Sequence, residues 1–159
     1  MKQDFQIGNS FDSETVALGH SKKVWRRIDE QLPGGYHVTN LADFASAGFI
    51  QAGTPVAYST EQNADARDIV AIPFSDLADE SDDAGVSSLN IIGFLQEDVP
   101  VIKHGTGGGA TYNYASGNVI VKGEIYGYML GTTQEEATAA AAAVKLLTQK
   151  NGLSIRVID

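Results

Sequence analysis

Several stretches of this chain carry residue types that can do chemistry, and each is tested by its spacing. His104-Gly-Thr-Gly-Gly-Gly-Ala110 is glycine-rich, as loops that cradle phosphate are when they follow a strand and open a helix. Here Thr111-Tyr-Asn-Tyr114 follows, a β-leaning run with no lysine in the phosphate-binding position. It reads as a hairpin loop. Asp76 to Gly85 holds Asp76, Asp79, Glu80, Asp82 and Asp83, and hard cations take several oxygens. A calcium loop also needs alternating acids, a glycine at its sixth position and a glutamate at its twelfth, an order this run lacks. It reads as a solvated loop with no metal. Glu97 and Asp98 offer an acid and a base, but neighbours on a strand point to opposite faces. His20, His37 and His104 stand far apart with no ligand spacing. No serine sits in a nucleophile elbow, and the chain has no cysteine. The sequence therefore points away from an enzyme, with no catalytic residue, cofactor or metal ligand.

One cationic stretch remains, Lys22-Lys-Val-Trp-Arg-Arg27. Such a cluster can meet phosphate or an acidic protein surface. The formal charge of −9 over 159 residues argues against general nucleic-acid binding, which needs a broad basic face. The acids are concentrated: residues 61–99 carry ten acids and one arginine, summing to −9. The length suits one domain with a real core, and 43 % hydrophobic with 19 % charged residues is a globular composition. No apolar run nears the roughly 20 residues that span a bilayer, so no membrane partner is expected.

The elements that must position these residues read as mainly β. Gly48-Phe-Ile-Gln-Ala-Gly-Thr-Pro-Val-Ala-Tyr58, Leu89 to Val99 and Asn118 to Met129 are short, rich in β-branched and aromatic residues, and punctuated by glycine. Gly123 is expected to be a bulge. Tyr36–Thr39 and Arg67–Phe74 are further strands. Residues 1–20 read as an extended arm in which Phe5 and Phe11 seek burial. Ser21 caps an expected short helix from Lys22 to Leu32, with Val24, Trp25, Ile28 and Leu32 as its stripe. Trp25 is either core or an interface anchor. Thr132-Thr-Gln-Glu-Glu136 supplies overlapping capping boxes for an alanine-rich helix over 133–150. Its small-residue face, Ala137, Ala140, Ala141, Val144 and Leu147, suits close contact with a sheet or with copies of itself. A last strand alternates over 153–158. The expected fold is a small β-barrel or sandwich with an N-terminal arm and short helix (1–36), then a β-rich domain (37–159) ending in helix and strand.

The motifs Gly48 to Tyr58, Asn90-Ile-Ile-Gly-Phe-Leu-Gln-Glu-Asp-Val99 and Val119-Ile-Val-Lys-Gly-Glu-Ile-Tyr126 together resemble capsid decoration and head-fibre proteins of tailed bacteriophages. Gly19-His-Ser-Lys-Lys-Val-Trp-Arg-Arg-Ile28 with Leu32-Pro-Gly-Gly35 is similar to the N-terminal part of phage head-fibre proteins. The alanine-rich helix and terminal strand depart from that pattern. The resemblance implies a non-enzymatic virion protein, a trimer seated on the outer capsid surface. Its partners would be the major capsid protein, other copies of itself and, further out, a distal fibre protein. On this reading Phe5, Phe11, Lys22, Lys23, Trp25, Arg26 and Arg27 dock to the capsid. Ala137, Ala140, Ala141, Val144 and Leu147 join the subunits. The alternative from another class is a small β-barrel module that binds a glycan or small molecule through Tyr112, Tyr114, Tyr126 and Tyr128.

Overall fold

The computed structural model describes residues 23–78 and 90–159. The arm with Phe5, Phe11 and Lys22, and most of the acidic run, lie outside these residues. The fold is mainly β. In chain order the strands are β1 (Trp25–Gln31), β2 (Tyr36–Val38), β3 (Phe49–Ile50), β4 (Pro55–Tyr58), β5 (Asp68–Ala71), β6 (Gly93–Leu95), β7 (Val99–Pro100), β8 (Lys103–His104), β9 (Thr111–Tyr112), β10 (Ser116–Gly117), β11 (Val119–Tyr126) and β12 (Ser154–Ile158). A one-turn helix α1 (Phe74–Ala78) and the long α2 (Gln134–Lys150) complete it.

The main sheet runs β1-β11-β6-β4-β5-β2-β10, with β12 also on β11. Only Asn118 separates β10 from β11, so the sheet curls until its last strand runs into its second: a half-barrel. β12 returns parallel to β11 after α2, a β-α-β crossover that lays the helix across one face. β8 and β9 form an antiparallel hairpin around residues 105–110. The glycine-rich stretch is thus the hairpin loop its composition suggested.

Two apolar clusters fill the structure. One joins Trp25, Phe94, Ile120 and Ile125 of the sheet to Ala140, Val144 and Leu147 of α2. The other gathers Tyr36, Val38, Ile50, Val56, Ile69, Leu95 and Val119. α2 begins at Thr133, whose side chain accepts from the Glu136 N–H while Glu136 reaches back to the cap. Two orphan helix donors are satisfied in this way.

The expected short helix over 22–32 is corrected: Trp25–Gln31 is strand β1, antiparallel to β11. The stripe Val24, Trp25, Ile28, Leu32 fits a helix locally. In the fold, however, the backbone of β11 offers antiparallel partners along the whole segment, with bulges, and pairing across the sheet overrides a weak local preference. β1, in the segment 1–36, therefore belongs to the main sheet.

Candidate functional site

The sheet brings the adjacent residues Arg26 and Arg27 to one carboxylate. In the β1–β11 register Trp25 faces Ile125 and Arg27 already faces Glu124, so Arg26 is an extra residue. A bulge sets two residues of one strand against one of its neighbour. Both guanidinium groups consequently reach Glu124: Arg26 Nη1 lies 3.6 Å from Oε2, and Arg27 Nη2 lies 3.7 Å from Oε1. From the other side β12 sets Arg156 opposite Glu124, with its Nη1 3.7 Å from Oε1. The bulges lie in β1 around Arg26 and Asp29 and in β11 around Val121, and the expectation of a bulge at Gly123 is corrected. Gly123 pairs in register with Ile28. A Cβ there would meet the Arg27 carbonyl oxygen at 2.4 Å, so glycine is what lets β1 lie this close.

The electrostatics follow from burial. The Glu124 side chain is only 10 % exposed, against 55 %, 61 % and 77 % for Arg26, Arg27 and Arg156. The anion lies beneath and the cations face solvent. Asp29 takes Arg27 Nε at 2.9 Å, so three cations meet two anions and a net positive face remains. Lys122 is exposed two residues before Glu124 on the same strand, but it stands opposite the exposed Glu30 of β1, so that pair adds no net charge. Separations of 3.6–3.7 Å are longer than the usual 2.7–2.9 Å of charge-assisted hydrogen bonds. The guanidinium groups therefore keep donors for an outside acceptor. The arrangement can dock an acidic surface.

The other candidate residues are placed as follows. Lys23 is exposed at the start of the described chain. Trp25 is 6 % exposed, and its indole N–H donates to the Leu95 carbonyl at 2.9 Å. It is core, and its assignment as a docking anchor is corrected. Ala137, Ala140, Ala141, Val144 and Leu147 are all buried against the chain's own sheet. Their assignment to a subunit interface is corrected as well, because the helix face is already covered. The four tyrosines fall in two places. Tyr126 and Tyr128 are ring neighbours at 5.4 Å, whereas Tyr112 packs against the second core cluster and Tyr114 stacks on His37. His104 is exposed on β8, and among the described residues no group of three metal-ligating side chains occurs.

Two shallow clefts mark the surface. One, of about 430 Å³, runs between α2 and the chain's last residue, with Tyr128, Thr138, Lys145 and Asp159 on its walls. Lys145 and Asp159 form an ion pair at 2.8 Å across it. The other, of about 220 Å³, is bounded by Lys23, Trp25, Ile28, Gln96 and Asp98. There Asp98 Oδ1 accepts the Ala52 N–H at 2.8 Å, which gives one of the paired carboxylates a structural task.

Glu124 and Arg156 are the members of the basic face that sequence reasoning missed. The signal was present: Glu124 is the one acid of a strand in which it sits between Gly123 and Ile125, where an unpaired carboxylate is costly. Comparison with protein-family models, with curated proteins and with solved structures finds no match.

Proposed function

We propose that this chain is a structural virion protein, a capsid decoration or head-fibre base that binds the outer surface of a phage shell as an oligomer, with three copies the expected number. The observation that carries the reading is the Arg26–Arg27–Arg156 face built over Glu124. It is a preformed basic surface on a chain whose overall charge is −9. The resemblance of the strand motifs to those of head-decoration proteins adds to it. The cations stand on paired strands rather than on a loop, so little ordering cost is incurred when an acidic patch on the shell meets them. The subunits join through surfaces other than the helix face, since that face is spent inside the chain.

The test is cosedimentation with shells of the cognate major capsid protein that lack this protein. Neutralising all three arginines (Arg26→Gln, Arg27→Gln, Arg156→Gln) is preferable to reversing them, because added carboxylates would crowd Glu124. The expected result is a loss of shell affinity of roughly tenfold or more, in the triple variant and equally when Glu124→Gln is added so that no unpaired carboxylate is left in the sheet. Full occupancy by the triple variant would overturn the assignment. Light scattering on the free protein checks the oligomer against three times the 16.9 kDa chain.

A further inference from the structure

The main sheet begins on a strand whose outer edge is open. β1 is the first strand of the sheet's path and, among the described residues, pairs with β11 alone. The ladder at both ends fixes where its backbone groups point. The Val24 carbonyl takes the Tyr126 N–H, and the Val119 carbonyl takes the Leu32 N–H. Hydrogen-bonded and non-hydrogen-bonded pairs alternate along an antiparallel ladder. Counted inward from either end, passing over the bulge residues, Ile28 and Gly123 form a non-hydrogen-bonded pair. The Ile28 N–H and carbonyl therefore point away from β11, towards the open edge.

The bulges also sort the side chains. Arg26 and Arg27 both reach Glu124, and Asp29 takes Arg27 Nε. Glu30 stands opposite Lys122, which lies two residues from Glu124 and so on the same face. Four charges thus share the outer face. Ile28 turns the other way, beside Trp25 at the smaller cleft, and is left 38 % exposed. The order of these residues is its own complement. β1 runs Arg26-Arg27-Ile28-Asp29-Glu30, and an antiparallel copy lays Glu30, Asp29, Ile28, Arg27 and Arg26 against it.

We propose that the β1 edge is a two-fold contact between copies of this chain. About an axis at Ile28, the two Ile28 residues exchange N–H···O=C bonds. Arg27 then meets Asp29 of the partner subunit, and Arg26 meets Glu30 of the partner subunit. An isologous contact needs a self-complementary patch, and opposite charges directly across strands stabilise their pairing. Edges guarded against pairing set like charges across the contact instead. Here the register is specified too, since sliding it by two residues sets Arg27 against Arg27 or Asp29 against Asp29. The added twist of the bulges limits the ladder to this short centre. The partner that carries the complement is the chain itself. Pairing at an edge leaves the sheet faces uncovered, so two arginine faces come to stand side by side. This inference does not rest on the capsid reading.

The test uses the full chain, which has no cysteine of its own. In a hydrogen-bonded antiparallel pair the Cα atoms stand about 5.5 Å apart, within reach of a disulfide. Ile28→Cys is therefore expected to oxidise to a covalent dimer. Gln31→Cys, exposed on the same strand, is expected not to, because its two copies would lie about 20 Å apart. Light scattering on the wild type should give an even number of chains: two, or six if a three-fold contact is also made. Ile28→Lys sets two ammonium groups across the axis at a site that is already exposed, and should weaken the pairing by roughly tenfold or more. Ile28→Val should keep it. The proposal is overturned if the wild type holds one or three chains at every concentration, or if Ile28→Lys associates as wild type does. It is overturned too if Ile28→Cys crosslinks no more than Gln31→Cys. A mass of three chains would sink this contact and leave the capsid reading standing. A mass of two with the Ile28→Cys crosslink would support it and remove the three-fold expectation.

Discussion

Asp68 accepts one hydrogen bond from the Asp65 backbone and holds a second with His37. These, the backbone bond first, hold its carboxyl below the ordinary carboxylate value despite partial burial. The sign of the resulting pH dependence follows. With the folded value lowered, the unfolded chain binds more protons in the window between the two values, so stability rises with pH through it. The contribution is therefore fully present above about pH 4, the unfolded value, and is lost as pH falls through the folded one. In urea titrations the midpoint of the wild type should exceed that of Asp68→Asn at neutral pH, and the gap should close in acid. A gap that persists unchanged at about pH 2 would mean that the carboxylate charge plays no part. Little of this was legible in the sequence, because thirty-one residues separate His37 from Asp68 and only the parallel β2–β5 pairing joins them. Trp25 was half-legible: a tryptophan beside two arginines fits core and interface equally, and the Leu95 carbonyl that decides between them is far along the chain.

At the scale of elements, legibility tracked how local the determinants were. α2 was readable from its cap, its alanines and its flanking charges, all within one stretch. β1 was not, because Val24, Trp25, Ile28 and Leu32 satisfy a helical period while the decisive partner, β11, begins almost ninety residues later. The small-residue face of α2 allowed a sheet or a second helix, and the structure takes the sheet. A Cβ on Gly127 would lie 2.9 Å from the Ala141 Cβ and 2.9 Å from Val157 Cγ1, so the helix rests directly on the end of β11 and on β12. The same packing predicts how Ala140→Leu should behave. Ala140 is 1 % exposed within the helix–sheet core and lines neither cleft, so the added volume has no space to enter, and overpacking of this kind costs about 1–3 kcal/mol. Chemical denaturation should show that loss while light scattering reports an unchanged oligomer. If the variant kept its stability but lost its oligomer, the helix face would be a subunit contact after all.

Over the whole molecule, the mainly β class with a C-terminal helix was present in the pattern of short apolar runs and one long capped segment. The curl was not, since it depends on β10 passing through Asn118 into β11 and on β12 entering parallel beside it. The charge distribution, by contrast, is a property of the sequence alone, and it sets a final expectation. With a net charge of −9, and the acids of 61–99 crowded along one part of the chain, like charges repel in the compact state. The opposing attraction of three arginines for Glu124 is short-ranged and partly covered, so dissolved ions screen it less than they screen the dispersed repulsion. Raising the ionic strength from about 0.01 M to about 0.15 M shortens the screening length from about 30 Å to about 8 Å. That should relieve more repulsion than it removes attraction. The melting temperature in scanning calorimetry should rise by about 2–4 °C, the shift that roughly 1 kcal/mol produces in a chain of this length. A fall on adding salt would show instead that the arginine–glutamate cluster dominates the electrostatic balance, and the triple arginine-to-glutamine variant should then lose that salt response.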